Sequence, residues 1–285
     1  MRSLASHLRP HAPLDGANPT CVEGLYVYRR SERAGPTSAV YAPSLILVAQ
    51  GRKRARVDDE VYVYDPDHYL VTSVPIPLQS EILEASPERP FLSLALDVDL
   101  AAVRELMARV PALQTAEPPE RGLAACPVTP PIRDVCRRLV GLLDRPDAAP
   151  ALGPLYQREL LYHVLEGPRG GALRAVAMGS GQQSAIADVL ARIHADCAQS
   201  FSVPELAGEA GMSETVFYEA FKVVTGATPM QYVKRLRLQE AHRLLSTGLH
   251  NVSGAAFGVG YNSLSQFSRE FTRVFGASPS SYIPR

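Results

Sequence analysis

Between residues 40 and 96 the chain alternates apolar and polar positions in short runs, and beyond Asp97 the apolar spacing lengthens to that of helices. Val40–Gln50 is an apolar run bounded by Pro43 and Gly51. Lys53–Val57 and Glu60–Tyr64 alternate on either side of Asp58-Asp59, a hairpin signal because Asp tolerates turn dihedrals. Asp65-Pro66-Asp67 makes the next turn, ahead of Tyr69–Val74, and Leu78–Leu83 and Phe91–Leu96 follow. Short strands at this spacing predict an antiparallel barrel or sandwich.

Helical patterns take over from there. Asp99–Val110 reads as a helix, and so does Pro131–Asp144, where Ile132, Val135, Leu139 and Leu142 or Leu143 share a face. Pro154–Glu166 is a third, with Leu155, Leu161, Tyr162 and Leu165. Pro-rich loops, Glu117-Pro118-Pro119 and Arg145–Pro154, separate them. Gly167–Gln183 is rich in glycine and small residues and reads as a linker with a short helix inside it. From Ser184 onward almost everything is helical. The expected fold class is α+β: an antiparallel β-barrel with packed helices over 1–166, a linker over 167–183, and an all-α domain over 184–285. The apolar helix faces pack on their own domain or form a dimer interface.

The all-α part contains an internal repeat. SETVFYEAFKVVTGATPMQY (213–232) parallels SLSQFSREFTRVFGASPSSY (263–282). Phe217 matches Phe267, Phe221 matches Phe271, Gly226 matches Gly276, Pro229 matches Pro279 and Tyr232 matches Tyr282, every pair 50 residues apart. In each copy two Phe and a Val fall at i, i+4 and i+7, one helical face. Gly226 and Gly276 stand where a helix ends in a left-handed residue. Thr228-Pro229 and Ser278-Pro279 then restart a helix with a hydroxyl cap and proline at its first position. Upstream of each copy lies a shorter helix and a glycine turn. Ser202-Val203-Pro204-Glu205 opens the first as a capping box, Gly211-Met212 turns, and Ser213 caps the next helix. In the second, Val252–Val259 is the short helix, Gly260-Tyr261 turns, and Asn262 or Ser263 caps. Helix, glycine turn, capped helix is the helix-turn-helix arrangement. Residues 229–248 join the two units as one long amphipathic helix. Two recognition helices held this way would enter successive major grooves about 34 Å apart.

Charge and composition refine this picture only in part. The net charge is 0, and from Gln183 onward nine Lys or Arg against eight Asp or Glu leave +1. DNA binding must therefore come from where the charges sit. No apolar stretch is long enough to span a membrane and the N-terminus lacks a signal-like apolar core, so a cytoplasmic, nucleoid-associated protein is expected. Cys21, Cys126, Cys136 and Cys197 are scattered, with no paired spacing for zinc or a disulfide framework.

These residues carry a family resemblance. Gly260-Tyr261, Asn262-Ser263, Ser265, Phe267, Arg269, Phe271, Arg273, Phe275-Gly276, Ser278-Pro279 and Tyr282 resemble the signature of the AraC/XylS-type DNA-binding domain. RLRLQEAHRLL, residues 235–245, resembles that family's linker helix. Tyr41-Ala42-Pro43-Ser44-Leu45, Gln50-Gly51-Arg52-Lys53, Tyr64-Asp65-Pro66, Tyr69-Leu70-Val71 and the Ala85–Pro90 segment are similar to the N-terminal domain of one subgroup. The resemblance implies a cupin-like barrel that either binds a small-molecule effector or serves as a dimerising or docking surface. It implies a transcription regulator acting on double-stranded promoter DNA, with a homodimer and, for an activator, RNA polymerase as partners. By position in the family motif, Thr215, Tyr218 and Glu219 face bases from the first recognition helix, and Ser265, Gln266 and Arg269 from the second. Arg269 suits guanine and Gln266 adenine. Ser213, Lys222, Ser263 and Arg273 are expected at phosphates. Glu219 departs from the family, which commonly has a basic residue there: it either accepts from a cytosine amino group or marks a lost contact.

Other chemistry is poorly supported. A metal-dependent cupin enzyme needs clustered His and a carboxylate, whereas residues 40–96 hold only His68, beside Asp67. No nucleophile motif appears, so no catalytic residue, cofactor or metal is expected. The basic cluster Arg52, Lys53, Arg54 and Arg56 either attracts an anion or solvates an edge strand.

Overall fold

The computed structural model describes residues 3–114, 120–179 and 181–284. The expected Glu117-Pro118-Pro119 loop lies outside the described residues. The described residues hold ten strands, nine in succession, β1 (Gly16–Pro19), β2 (Leu25–Arg30), β3 (Ala34–Tyr41), β4 (Ser44–Gln50), β5 (Arg52–Val57), β6 (Glu60–Tyr64), β7 (His68–Thr72), β8 (Ile76–Glu84) and β9 (Phe91–Asp97), and, after an intervening helix, β10 (Leu123–Pro127). A short helix, α1 (Leu4–Leu8), precedes them. They form a six-stranded sheet, β1-β2-β9-β4-β7-β10, and a four-stranded sheet, β3-β8-β5-β6, with every pair antiparallel. The two face each other as an open barrel.

Local chemistry explains the strand breaks. The apolar run at 40–50 divides into β3 and β4 because Pro43 has no N–H for a ladder. The β5–β6 hairpin turns at Asp58, whose φ of 53° lies in the left-handed region that Asp tolerates. β10 escapes a sequence reading because its run, Leu123–Pro127, is short and ends in proline; pairing with β7 makes it a strand.

Alternation divides the six-stranded sheet between two cores. Leu45, Leu47, Tyr69, Val71, Leu92, Leu94 and Leu96 pack outward against helices. Those helices are α2 (Leu100–Arg109), α3 (Pro130–Gly141) and α4 (Ala149–Glu166). Asp99 caps α2 by accepting from the Ala101 amide at 2.8 Å. The α4 helix starts five residues before the expected Pro154 and runs through it. Its first two turns are held by packing: Ala149 is buried, and Gly153 lies so close to Val22 that a Cβ would sit 3.2 Å from its methyl. Leu155, expected on the apolar face, is 59% exposed. The stretch expected as a linker contains α5 (Gly171–Ala177), in which Leu173 and Val176 are buried.

The inner faces of the barrel form a second core with Val48, Ala55, Val57, Tyr64, Leu70, Ile76, Leu78, Ile82 and Phe91. This core continues into α6 (Gly181–Ala195), α7 (Val203–Glu209), α8 (Glu214–Thr225) and the start of α9 (Pro229–Ser246) through Ile186, Leu206, Phe217, Phe221, Tyr232 and Val233. Polar bonds close the junction. Tyr232 donates its hydroxyl to the Pro75 carbonyl at 2.9 Å, and its oxygen lies 2.7 Å from His194 Nε2. Arg121 donates to Glu60 at 2.8 Å and to the Lys222 carbonyl at 2.9 Å, and the Gly122 amide donates to the Val224 carbonyl at 2.9 Å. Gly226 is required here twice over: φ is 73°, and a Cβ would overlap Val57. A third core, separate from the barrel, holds α10 (Val252–Gly258) and α11 (Leu264–Phe275) against the end of α9 through Leu238, Leu245, Ala256, Phe267 and Phe271. No described helix is long and apolar enough to cross a membrane.

Candidate nucleic-acid interface

Two helix-turn-helix units stand on these cores. In the first, Ser202 caps α7 by accepting from the Glu205 amide, Gly211 turns the chain at φ 65°, and Ser213 caps α8 by accepting from the Val216 amide. In the second, Asn251 caps α10, Gly260 turns at φ 86°, and Ser263 caps α11 by accepting from the Gln266 amide. Hydroxyl caps satisfy one of the four amides each helix start leaves free. The long helices end at Gly226 and Gly276, both left-handed, as the repeat requires. Thr228 and Gln231 form a reciprocal capping box that starts α9. The second turn carries one extra residue: Ala207 and Ala256 are 49 apart, whereas Ser213 and Ser263 are 50 apart.

Phe217 and Phe221 on α8, and Phe267 and Phe271 on α11, point into the two cores and are fully buried. The opposite faces present the residues expected at DNA. Thr215, Tyr218 and Glu219 are exposed on α8, as are Ser265, Gln266 and Arg269 on α11. Two of these are held within their own helix. Gln266 donates to Glu270 at 3.3 Å, and Arg269 Nε donates to the Ser265 carbonyl at 3.3 Å. Arg269 has no carboxylate partner among the described residues. Ser213 and Ser263, expected at phosphates, spend their oxygens on the caps, which leaves free backbone amides at each helix start to face an anion. Lys222 is exposed, with its carbonyl held by Arg121.

Glu270 and Lys234, which no motif singles out, form a structural pair behind the outward face of α11. Lys234 on α9 meets Glu270 at 2.6 Å, and Glu270 also accepts from Tyr261 at 2.8 Å. Burial opposes ionisation of this carboxyl, but the bonds from Lys234, Tyr261 and Gln266 outweigh it and hold Glu270 below its ordinary range. The carboxylate thereby fixes the roll of α11 against α9. Only the folded packing reveals this, since the two residues are far apart in sequence.

Arg273, expected at a phosphate, lines a cleft of about 450 Å³ between α11, α9 and the outer face of the four-stranded sheet. Arg56, Lys234 and Arg235 line it too, with Asp58 as a carboxylate. Within the barrel, strand alternation splits the basic cluster. Arg52, Arg54 and Arg56 face outward, the first two paired with Glu84 and Glu81. Lys53 faces inward and is 8% exposed. Contrary to the edge-strand expectation, β5 lies between β8 and β6, so its backbone is paired on both sides and the basic cluster solvates no sheet edge. Lys53 Nζ sits 4.8 Å from the ring centre of Tyr28, 5.3 Å from Tyr41 and 5.9 Å from Phe91, with no hydrogen-bond or carboxylate partner among the described residues. The Tyr41 and Tyr64 hydroxyls lie 3.2 Å apart nearby. Ring faces attract the ammonium but fill none of its three donors.

Known proteins share this organisation. A family model described as the AraC-type transcriptional regulator N-terminus matches residues 21–172, and one for a helix-turn-helix domain matches 206–285. A putative AraC-like transcription regulator of Streptomyces lividans is 32% identical over 143 residues, 50% of this chain and 47% of that protein. VirF, a virulence regulon transcriptional activator of Yersinia enterocolitica, is 26% identical over 155 residues, 54% and 56% of the two chains. The chain thus spans about half the length of these curated relatives. Among solved structures, ToxT of Vibrio cholerae strain SCE256 with an unsaturated fatty acid bound superposes with a TM-score of 0.60 over 91% of this chain and 93% of that one. At 12% identity this likeness is one of fold.

Proposed function

Because the chain belongs to the AraC-type transcriptional regulators, we propose that it is a sequence-specific DNA-binding regulator that reads two successive major grooves. The observation that carries this reading is the pair of capped helices α8 and α11, each burying two Phe and turning a polar face outward. Thr215, Tyr218, Glu219, Ser265, Gln266 and Arg269 are the base readers in this proposal. Lys222, Arg273 and the capped helix starts at Ser213 and Ser263 are the phosphate contacts. The reading includes a homodimer, with the N-terminal part (1–166) as the regulatory half and 184–285 as the DNA-binding half. An activator of this kind has RNA polymerase as its second partner.

The test is fluorescence anisotropy at physiological salt on DNA selected from a random pool. Specific binding should survive about a thousandfold excess of random competitor. Binding that random DNA removes as readily as the selected site would sink the proposal.

Lys53 supports the effector side of the reading. A fatty acid, the ligand named for ToxT, is a carboxylate on an apolar body. The barrel offers a largely buried lysine whose ammonium lies among aromatic rings with no hydrogen-bond partner among the described residues, which suits such a head group. Sodium decanoate is expected to raise the melting temperature of the wild type saturably and to leave Lys53→Met unmoved. Without ligand, Lys53→Met is expected to melt close to wild type, because methionine keeps the packing against Tyr28, Tyr41 and Phe91 and no hydrogen bond is lost. Equal shifts with decanoate in both proteins would remove Lys53 from the effector site.

A further inference from the structure

The two reading heads touch one another, and one side chain bonds to both. Arg237 lies on α9, midway between the units, and its guanidinium reaches both. Its Nε donates to the Cys197 carbonyl at 2.8 Å and one terminal nitrogen donates to the Gln199 carbonyl at 2.6 Å. These carbonyls belong to the loop between α6 and α7, the entry to the first unit. The other terminal nitrogen donates to the Gly260 carbonyl at 3.2 Å, in the turn of the second unit. The planar fork of arginine spans three acceptors at once, which the single ammonium of lysine does not.

Glycine chemistry at the same place agrees. Both turn glycines adopt positive φ, yet only one is crowded. A Cβ on Gly211 would meet nothing within 4 Å, whereas one on Gly260 would overlap the Ala198 carbonyl oxygen. The turn of the second unit thus sits directly on the entry loop of the first, and Arg237 bonds to both sides of the contact. Arg237 has no carboxylate partner among the described residues, so its charge is committed to backbone dipoles alone.

We propose that Arg237, with Gly260 and the 197–199 loop, is a positioning residue that sets the distance and angle between the two recognition helices, and so determines which half-site spacing the protein accepts. This rests on the proposal that both heads read DNA. Each base pair inserted between half-sites moves one head by about 3.4 Å and about 34° around the duplex. A rigid pair of heads rejects such a change, and a loosened pair tolerates it.

Two measurements on the full-length protein test this. Spin labels at Thr215 and Ser265, with Cys21 and Cys197 replaced by serine, report the distance between recognition helices without DNA. The wild type should give one narrow distribution, and Arg237→Ala a broad one. The second measurement is affinity for sites with one base pair inserted or removed between half-sites. The wild type should lose about tenfold or more, at the scale of one mismatched base pair. Arg237→Ala should bind the native spacing more weakly and lose about threefold or less on the altered ones. Arg237→Lys should resemble the alanine variant, and Gly260→Ala, which pushes the same contact apart, should flatten the profile by the other route. A narrow distance distribution in Arg237→Ala would overturn the lock whatever the DNA result. A uniform loss at every spacing would show that Arg237 contributes affinity and not spacing. If the wild type binds no selected site while the distance distribution still broadens, the lock stands and the DNA-reading proposal falls.

Discussion

Phe221→Ala is expected to destabilise the whole protein by about 3–5 kcal/mol, and the damage should reach the barrel. Phe221 is fully buried, with its ring 5.5 Å from Phe217 and 5.5 Å from Tyr232 in a perpendicular arrangement. Tyr232 in turn holds the Pro75 carbonyl at the start of β8. The cavity left by the missing ring therefore opens in a core shared by α8, α9 and the inner faces of β5 and β8. Phe271→Ala removes an equally buried ring, packed 5.4 Å from Phe267 and 4.5 Å from Phe275, but its core stops at α9. Amide exchange separates the two variants. Exchange in Arg52–Val57 and Ile76–Glu84 should speed in Phe221→Ala and stay near wild type in Phe271→Ala, whose faster exchange should be confined to α10 and α11. Equal acceleration of the strands in both variants would show that the cores are one cooperative unit.

Arg269→Ala should weaken binding to the selected site by about tenfold to a hundredfold, the range of about 1–3 kcal/mol for one bidentate guanine contact. The loss should be concentrated at one base pair, where the variant no longer prefers its guanine. In the free protein the Arg269 side chain lies along its own helix, with Nε on the Ser265 carbonyl, so reading a base means exchanging one bond to a backbone carbonyl for two on the guanine edge. Thermal unfolding should hardly change, because the residue is exposed and pairs with no carboxylate among the described residues. A binding-site selection on the variant is the check. A uniform loss across all sequences would place Arg269 at a phosphate instead. Glu219 is best tested beside it. Glu219→Arg should shift the preferred base if the carboxylate reads cytosine, and raise affinity for every sequence if it marks a lost contact.

Periodicity and the duplicated Phe, Gly and Pro positions determined a great deal on their own. Strand alternation through Asp58-Asp59, the caps at Ser202, Ser213 and Ser263, and the left-handed ends at Gly226 and Gly276 are all local events. Each depends on a few neighbouring residues, so the sequence alone carries them. The exposed faces of α8 and α11 follow equally well, since burying Phe217 and Phe221, or Phe267 and Phe271, leaves Thr215 and Arg269 outside. What the tertiary structure decided is everything that depends on long-range contact. Lys53 reads as part of a surface cluster until β5 is placed between β8 and β6 and its side chain turns inward among Tyr28, Tyr41 and Phe91. The short helix inside the Gly-rich stretch before residue 184 is legible in the sequence, but the burial of its Leu173 and Val176 is not. Arg237 reads as one more charge on an amphipathic helix until its guanidinium meets the carbonyls of Cys197, Gln199 and Gly260. Backbone carbonyls have no signature in sequence, because every residue carries one; only the fold decides which three an arginine reaches.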